Sequence, residues 1–541
     1  MKKGVKILCA ALFFTLHSSL FTSCGDFLEE YSQDTDYVRS WKDLDELLIG
    51  DCYWPVEGTE DFNTQSNAGM FIHLLADELE ESNSRPPSSS SSYGKFDDHQ
   101  RLFGYLTWQQ RSGQNETYSG FFPENVFWTQ CYKKINIANN VLNSLDKVPV
   151  SSDAEKTGAA KVEGEARFLR AYYYWALVSL YGQPYDPNTA AGQPGVPLKV
   201  SPEVEDVKWQ RNSVAEIFSL IESDLLAADK AFDKVTTEKK SIYRADQVAV
   251  RLLLSRVYLY MQQWEQAAKY AQLVIDKHPQ LQDLRKNSAY MMVKTGVENI
   301  FTMGGDDLPL MLDYAYQGLR VSKSLYDCYV IGDLRRTQWL WHSGTFQGIT
   351  LRTDASSRFT SPLNKTKDDY YYYGYTGYLN GEKSPVSSLF WLRSAEAYLN
   401  LAEAMAYQGK ETEARAAVNQ LRRYRFQDNS AVWEITSTGS QLISDLRDER
   451  RRELILQGQR WFDLRRYRVC SVQPEKISLT HCYTYYEDRG TSVPLETRQY
   501  VLTADDPSWT QPIPQEVLDF NTGMEGNGNP WRTYTVVPTE E

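Results

Sequence analysis

The stretch "LLLSRVYLYMQQWEQAAKYAQLVIDKHP", residues 252–279, limits what this chain can fold into more than any other part of it. It reads as two helices joined by a turn. Leu254, Ser255 and Tyr258 mark the first helix, Ala267 marks the second, and Pro279 ends it. Small side chains at 255 and 267 let the two helices approach closely, and Tyr258 fills the groove toward the next unit. The pattern returns in Tyr398, Leu401 and Ala402, a turn at Gly409, and Ala414. A helix pair of this kind leaves one face uncovered, so it is stable only when stacked on neighbours. The expected framework is a stack of helix pairs.

These units have the length and residue pattern of tetratricopeptide repeats, modules of about 34 residues. Helical periodicity dominates three regions, about Trp128 to Tyr181, Ser213 to His278 and Leu389 to Tyr467. A helical scaffold is therefore expected over about 128–280 and 389–467. Residues 50–125 and 296–388 lack this periodicity and are rich in Gly, Ser, Asn and aromatic residues, and a third irregular segment follows Cys470. Connections of such length are as a rule functional or disordered. Disordered tracts are aromatic-poor, so these segments read as ordered loops, built on the surface, that carry a site.

The N-terminus reads as a targeting signal. Lys2, Lys3 and Lys6 form a basic region, and the apolar run Ile7 to Leu20, interrupted by His17, Ser18 and Ser19, is too short and polar to remain as a spanning helix. Thr22 and Ser23 lead directly into Cys24, and this junction resembles the lipobox of bacterial lipoproteins, with Phe21 where Leu is usual. The resemblance implies removal of residues 1–23 and acylation of Cys24. Two or three acyl chains, at about 0.8 kcal/mol per buried methylene, would tether the chain without spanning the bilayer.

Removing residues 1–23 takes away three lysines and no acids, so the net charge moves from −13 to −16. An acidic balance of this size argues against nucleic acid and against electrostatic binding to anionic lipid. Tyr (36), Phe (21) and Trp (14) make up 13% of the chain. Tyr and Trp offer a flat apolar face and a polar handle, which suits interfaces and sugar stacking. Cys52, Cys131, Cys328, Cys470 and Cys482 are odd in number and show no C-x-x-C spacing, which excludes a disulfide framework and a zinc ribbon. A pairing of Cys470 with Cys482 stays open.

No metalloprotease, nucleophile-elbow, phosphate-loop, calcium-loop or dinucleotide motif occurs, so no catalytic residue, metal ligand or cofactor is assigned. His73 stands alone before "LLADELEE" and reads as a packed or solvated residue. The carboxylate pairs Asp97/Asp98 and Asp368/Asp369 do not define the gap that glycoside hydrolysis requires. In "RDERRRELILQGQRWFDLRRY", Arg447 to Tyr467, the acids Asp448, Glu449, Glu453 and Asp463 interleave with arginines at helical spacing. Leu454, Ile455, Leu456, Trp461, Phe462 and Leu464 add an apolar stripe. The segment reads as one structural helix with a buried or semi-buried ion-pair network.

The same segment resembles the C-terminal signature of the SusD/RagB family, through Glu449, Arg450, Glu453, Leu454, Gly458, Arg460, Asp463, Leu464 and Arg466, with Gln457 where Glu is common. "CGDFLE", "GEARFLRAYYYWALVSLYG", "SKSLYDCYVIGDLRR", "LRSAEAYLNLAEAMAYQG" and "PIPQEVLDFNTGMEGNGNPW" resemble further family segments in order, the last ending in Gly-Asn-Gly-Asn-Pro. The resemblance implies a mostly α fold, an α-superhelix of tetratricopeptide-type pairs with long irregular loops and a few short strands. It implies a single domain over 24–541, with ligand-binding loops at about 50–125 and 296–388. It further implies an outer-membrane lipoprotein at the cell surface that binds an oligosaccharide and delivers it to a SusC-like TonB-dependent transporter. By the same carry-over, Asp77 and Arg85 lie near an early polar pair and Tyr105 or Trp108 near an early aromatic. Tyr314, Tyr316, Trp339 and Trp341 stand for the central aromatics. A peptide- or glycopeptide-binding member, a surface glycoside hydrolase and a pure scaffold for the barrel are the alternatives.

Overall fold

The computed structural model describes residues 38–54, 69–81, 96–286 (238 and 240 excepted), 295–304, 319–349 (344 and 345 excepted), 386–486 and 494–538. Fourteen α-helices and nine short strands lie among them. In chain order they are α1 (Trp41–Leu47), β1 (Leu79–Glu81), α2 (Phe96–Leu106), α3 (Val126–Leu145), α4 (Asp153–Tyr181), α5 (Val214–Phe232), α6 (Gln247–Tyr260) and α7 (Trp264–Lys277). There follow β2 (Asn299–Thr302), β3 (Leu319–Val321), α8 (Lys323–Asp327), α9 (Arg335–Gln338), β4 (Leu340–Ser343), β5 (Phe346–Ile349) and β6 (Trp391–Arg393). The rest are α10 (Ser394–Tyr407), α11 (Glu411–Arg422), α12 (Gly439–Glu453), α13 (Arg460–Arg468), β7 (Leu479–Tyr486), β8 (Pro494–Leu502), α14 (Gln515–Phe520) and β9 (Thr535–Val537).

The long helices stack in the order α3, α4, α5, α6, α7, α10, α11, each against the next, and α12 closes on α10. Two starts are marked by a full capping box. Ser152 with Glu155 and Ser213 with Glu216 form capping boxes on α4 and α5, which satisfy backbone N–H groups that a helix end otherwise leaves orphaned. Close approach is set by small residues. A Cβ on Gly164 would lie 2.7 Å from the Phe232 ring, so α4 and α5 could not meet there with any larger residue. Arg170 ties the same two helices through Asp224 at 2.7 Å and reaches Asn139 of α3 at 2.8 Å.

Both repeat units form. In the first, the Ser255 hydroxyl donates to Ala267 O at 2.9 Å, a contact that only small residues at 255 and 267 permit. Tyr258 stacks on Tyr270 with ring centroids 5.6 Å apart. In the second, Gly409 turns α10 into α11 at φ +73°, and Tyr398 donates across to Pro279 O at 3.0 Å. The strands pair antiparallel as β1–β3, β2–β6, β4–β5 and β7–β8–β9.

Two expectations are corrected. The segment Arg447 to Tyr467 is two helices, because the chain breaks between Glu453 and Arg460, with Leu456 at φ +49° and Gly458 at φ +65°. The early irregular region holds α2, a short 3-10 turn at Met70–Leu74 and β1, whose apolar residues Phe71, Leu74, Leu79, Phe103 and Leu106 are buried. The pairing of Cys470 with Cys482, left open by the sequence, is not made, and Cys52, Cys131 and Cys328 form no disulfide either. Cys24 and residues 1–23 lie outside the described residues.

Candidate functional site

The arginine-rich segment forms a buried lattice of ion pairs. Glu453 faces Arg335 at 2.7 Å, Arg393 at 2.6 Å and Arg425 at 2.8 Å. Glu449 meets Arg335 at 2.8 Å and Arg452 at 2.9 Å, and Arg422 as well. Farther along, Arg466 bridges Glu403 at 2.6 Å and Asp463 at 2.8 Å, and Arg450 shares Asp463 at 2.8 Å. Burial pushes the Glu403 carboxyl up, but Arg466, Arg450 and Arg447 outweigh it and hold its pKa at about 2. These charges are tolerable inside the protein only because each is paired several times over.

The break between α12 and α13 links this lattice to the loops. Gly458 serves it twice, by its left-handed backbone and by the space it leaves, since a Cβ there would sit 2.5 Å from Leu389. The turn presents the Leu456 N–H to the Glu78 carboxylate at 2.7 Å. Beside it, Arg460 grips Asp77 through two nitrogens at 2.8 and 3.0 Å, and Arg451 adds a third contact at 3.0 Å. A planar guanidinium matched to a carboxylate in this way fixes direction as well as distance. Ser322, just before α8, donates its hydroxyl to Asp77 O at 2.6 Å and its N–H to Glu78 O at 2.8 Å.

From this clamp the β1–β3 ladder starts, with Leu79 opposite Val321, Glu80 opposite Arg320 and Glu81 opposite Leu319. Residues beyond Glu81 and residues before Leu319 therefore depart from one end of one ladder. The β4–β5 hairpin packs beside β3, and β7 beside β1. Glu81 accepts from the Thr484 N–H at 2.9 Å and hydroxyl at 2.7 Å, which ties the C-terminal sheet to the same stem. Early loop, central loop and C-terminal sheet share a base.

The two clamp carboxylates differ in charge behaviour. Burial raises the Asp77 carboxyl, but Arg460 and Arg451 overcome this and keep it well below the usual range. Burial raises Glu78 to about 7, and the Leu456 hydrogen bond only partly opposes it. Glu78 is thus a neutral-range carboxyl buried at the loop base.

The expected contact residues divide. Asp77 is the stem clamp, with 19% of its side chain exposed. Tyr105 is in the core, stacked on Phe71 at 4.4 Å. Trp108 is 2% exposed, stacks on His481 at 4.3 Å and donates its indole N–H to Leu75 O at 3.0 Å. Trp339 is buried against the guanidinium groups of Arg393 and Arg425. Tyr105, Trp108 and Trp339 are all buried in the core. Trp341 pairs with Gly348 in β4–β5; its side chain, with Arg85, Tyr314 and Tyr316, lies outside the described residues, as does the tyrosine run 370–373. His73 is buried, 2.9 Å from the Ser388 hydroxyl. Glu78, Glu81, Thr484 and Ser322 are the stem residues that sequence reasoning did not single out. The acid run "ADELEE" was the available signal for the first two.

Residues 315–531 match the model of the SusD family, and residues 59–259 match a second model described as starch-binding associating with outer membrane. The chain belongs to the SusD family. It is 25% identical over 391 residues to SusD-like protein P2 of Formosa agariphila, covering 64% of this chain and 72% of that protein. Among solved structures, a SusD superfamily protein from Bacteroides vulgatus superposes with a TM-score of 0.63 at 20% identity, over 91% of this chain and 100% of the other. A SusD-like carbohydrate binding protein from the same species gives 0.63 at 18% identity, over 90% and 97%. These likenesses show the SusD fold. Among the described residues no helix is long and apolar enough to cross a membrane, and no group of His, Cys, Asp and Glu suits a metal ion.

Proposed function

We propose that this SusD-family chain captures an oligosaccharide at the outer-membrane surface, held there by a lipid on Cys24, and hands it uncleaved to a SusC-like TonB-dependent transporter. The β1–β3 ladder carries the reading. It holds residues 79–81 against 319–321 on one clamped base, and the chain segments next to these strands are the ones in which the family resemblance expects Arg85, Tyr314 and Tyr316. The second family model is described as starch-binding, and one similar structure as carbohydrate binding, which supports a sugar as the cargo.

Sugar capture combines stacking of C–H faces on aromatic rings with hydrogen bonds from charged and amide side chains. A shallow face with few contacts gives affinities of about −4 to −8 kcal/mol, the micromolar to millimolar range. Weak binding suits a protein that must release its cargo. The stem supplies rigidity, so less order is lost on binding.

The test is calorimetric titration of the chain from Gly25 onward with maltoheptaose, other oligosaccharides and peptides, followed by chromatography of each mixture. Binding to one sugar class with no new products is the expected result. Cleavage products would make the chain an enzyme, and binding to peptides alone would replace the sugar with a peptide cargo. Cys24→Ala is expected to abolish acyl labelling and membrane retention; a labelled Cys24→Ala protein would remove the anchor from the proposal.

A further inference from the structure

Away from the loop stems, the C-terminal sheet carries a second cluster of rings. Asn115 accepts through its side-chain oxygen from the N–H groups of Ser119 at 3.1 Å and Gly120 at 3.3 Å, which closes a tight turn. This turn holds Tyr118 at φ +57°, a left-handed backbone that an aromatic residue rarely adopts. The conformation aims the Tyr118 ring at Trp531, with centroids 5.0 Å apart. The Tyr118 hydroxyl lies 3.5 Å from that of Tyr500, which lies 3.1 Å from that of Tyr485. Next to them the Arg498 guanidinium sits 4.4 Å over the Tyr534 ring and 3.7 Å over Tyr485. Trp531 remains 57% exposed and Tyr534 42%.

We propose that Trp531 and Tyr534 form a second carbohydrate-stacking surface, a proposal that rests on the glycan-capture reading. The rings are supported from beneath and open above, which is the geometry for laying a pyranose C–H face on an indole. The Tyr118 phenol and the Arg498 guanidinium stand beside them, groups that hydrogen-bond sugar hydroxyls. Arg498 is paired with Glu496, so the surface offers no net charge to draw an anion. A sugar chain is the ligand that needs stacking and hydroxyl contacts without charge. Arg498 follows Thr497, which pairs with Thr484 in the β7–β8 ladder, so these rings stand on the sheet face opposite the Thr484–Glu81 contact.

The test uses native gels cast separately with soluble starch, xylan, mannan and pectic galactan. At least one polysaccharide should retard the wild-type chain, and Trp531→Ala with Tyr534→Ala should weaken that retardation roughly fivefold or more, while Trp531→Phe keeps most of it. Hydroxyl-radical footprinting of the unaltered protein gives a reading independent of folding: the retarding polysaccharide should protect Trp531 and Tyr534 from oxidation. Equal retardation of the double variant, or unprotected rings on a polysaccharide that does bind, overturns the second surface and leaves glycan capture standing. No retardation of wild type by any of the four overturns it together with that reading.

Discussion

The arginine lattice and the loop stem share the α12–α13 segment yet treat their carboxylates in opposite ways. In the lattice, Glu403, Glu449 and Glu453 are surrounded by guanidinium groups that hold them ionised against the cost of burial. At the stem, Glu78 is just as buried but has a single backbone N–H as its hydrogen-bond donor, with Arg460 and Arg451 spent chiefly on Asp77. Charge inside a protein is stable in proportion to its partners. The lattice is therefore a permanent frame, and the stem is the part whose stability answers to solution conditions.

The largest effect is expected from breaking the lattice. Glu453→Ala would leave Arg335, Arg393 and Arg425 without their shared acceptor, a loss of about 3–5 kcal/mol for an uncompensated buried charge. Chemical denaturation should show it as a lower midpoint, and a midpoint within experimental error of wild type would mean the lattice is not the frame.

The next sharpens the contrast. Glu78 rises from an ordinary 4.5 to about 7 in the folded chain. Between those values the unfolded chain gives up its proton first, so stability falls as pH rises, by about 3 kcal/mol in total. Glu403 moves from 4.5 to about 2, so its contribution is present above 4.5 and lost as pH falls through 2. Glu78→Gln keeps an acceptor for Leu456 and should flatten the decline between pH 4.5 and 7, leaving the variant more stable than wild type at pH 8. Parallel pH–stability curves for the two proteins would refute the assignment.

The smallest effect lies in the helix stack. Ser255→Ala removes the bond to Ala267 O and should cost about 1 kcal/mol. Thermal melting should detect it, with no change in glycan affinity.

The frame was legible in the sequence because its signals are local. Acids and arginines at helical spacing around an apolar stripe specify a buried ion-pair segment, and Ser255 with Ala267 specifies close helices. The break at Leu456 was hidden because Leu is ordinary in a helix, although Gly458 marked the place. The stem was not legible, since Glu81 meets Leu319 and Asp77 meets Arg460 only through pairings far apart in the chain. That Trp108 and Trp339 are buried was not legible for a related reason. Trp carries an apolar body and a polar N–H, so its type alone does not distinguish a ring under a loop from one above it. Trp531, in contrast, ends a segment read only for its family resemblance, and Tyr534 lies beyond that segment.

The central claim is that Asp77 clamps the β1–β3 stem to the arginine lattice. Hydrogen exchange on Asp77→Asn, followed peptide by peptide, tests it most directly. The account predicts faster exchange in residues 79–81 and 319–321, with α6, α7 and α10 protected as in wild type. Unchanged protection at β1 and β3, or an equal loss across the helices, would contradict it.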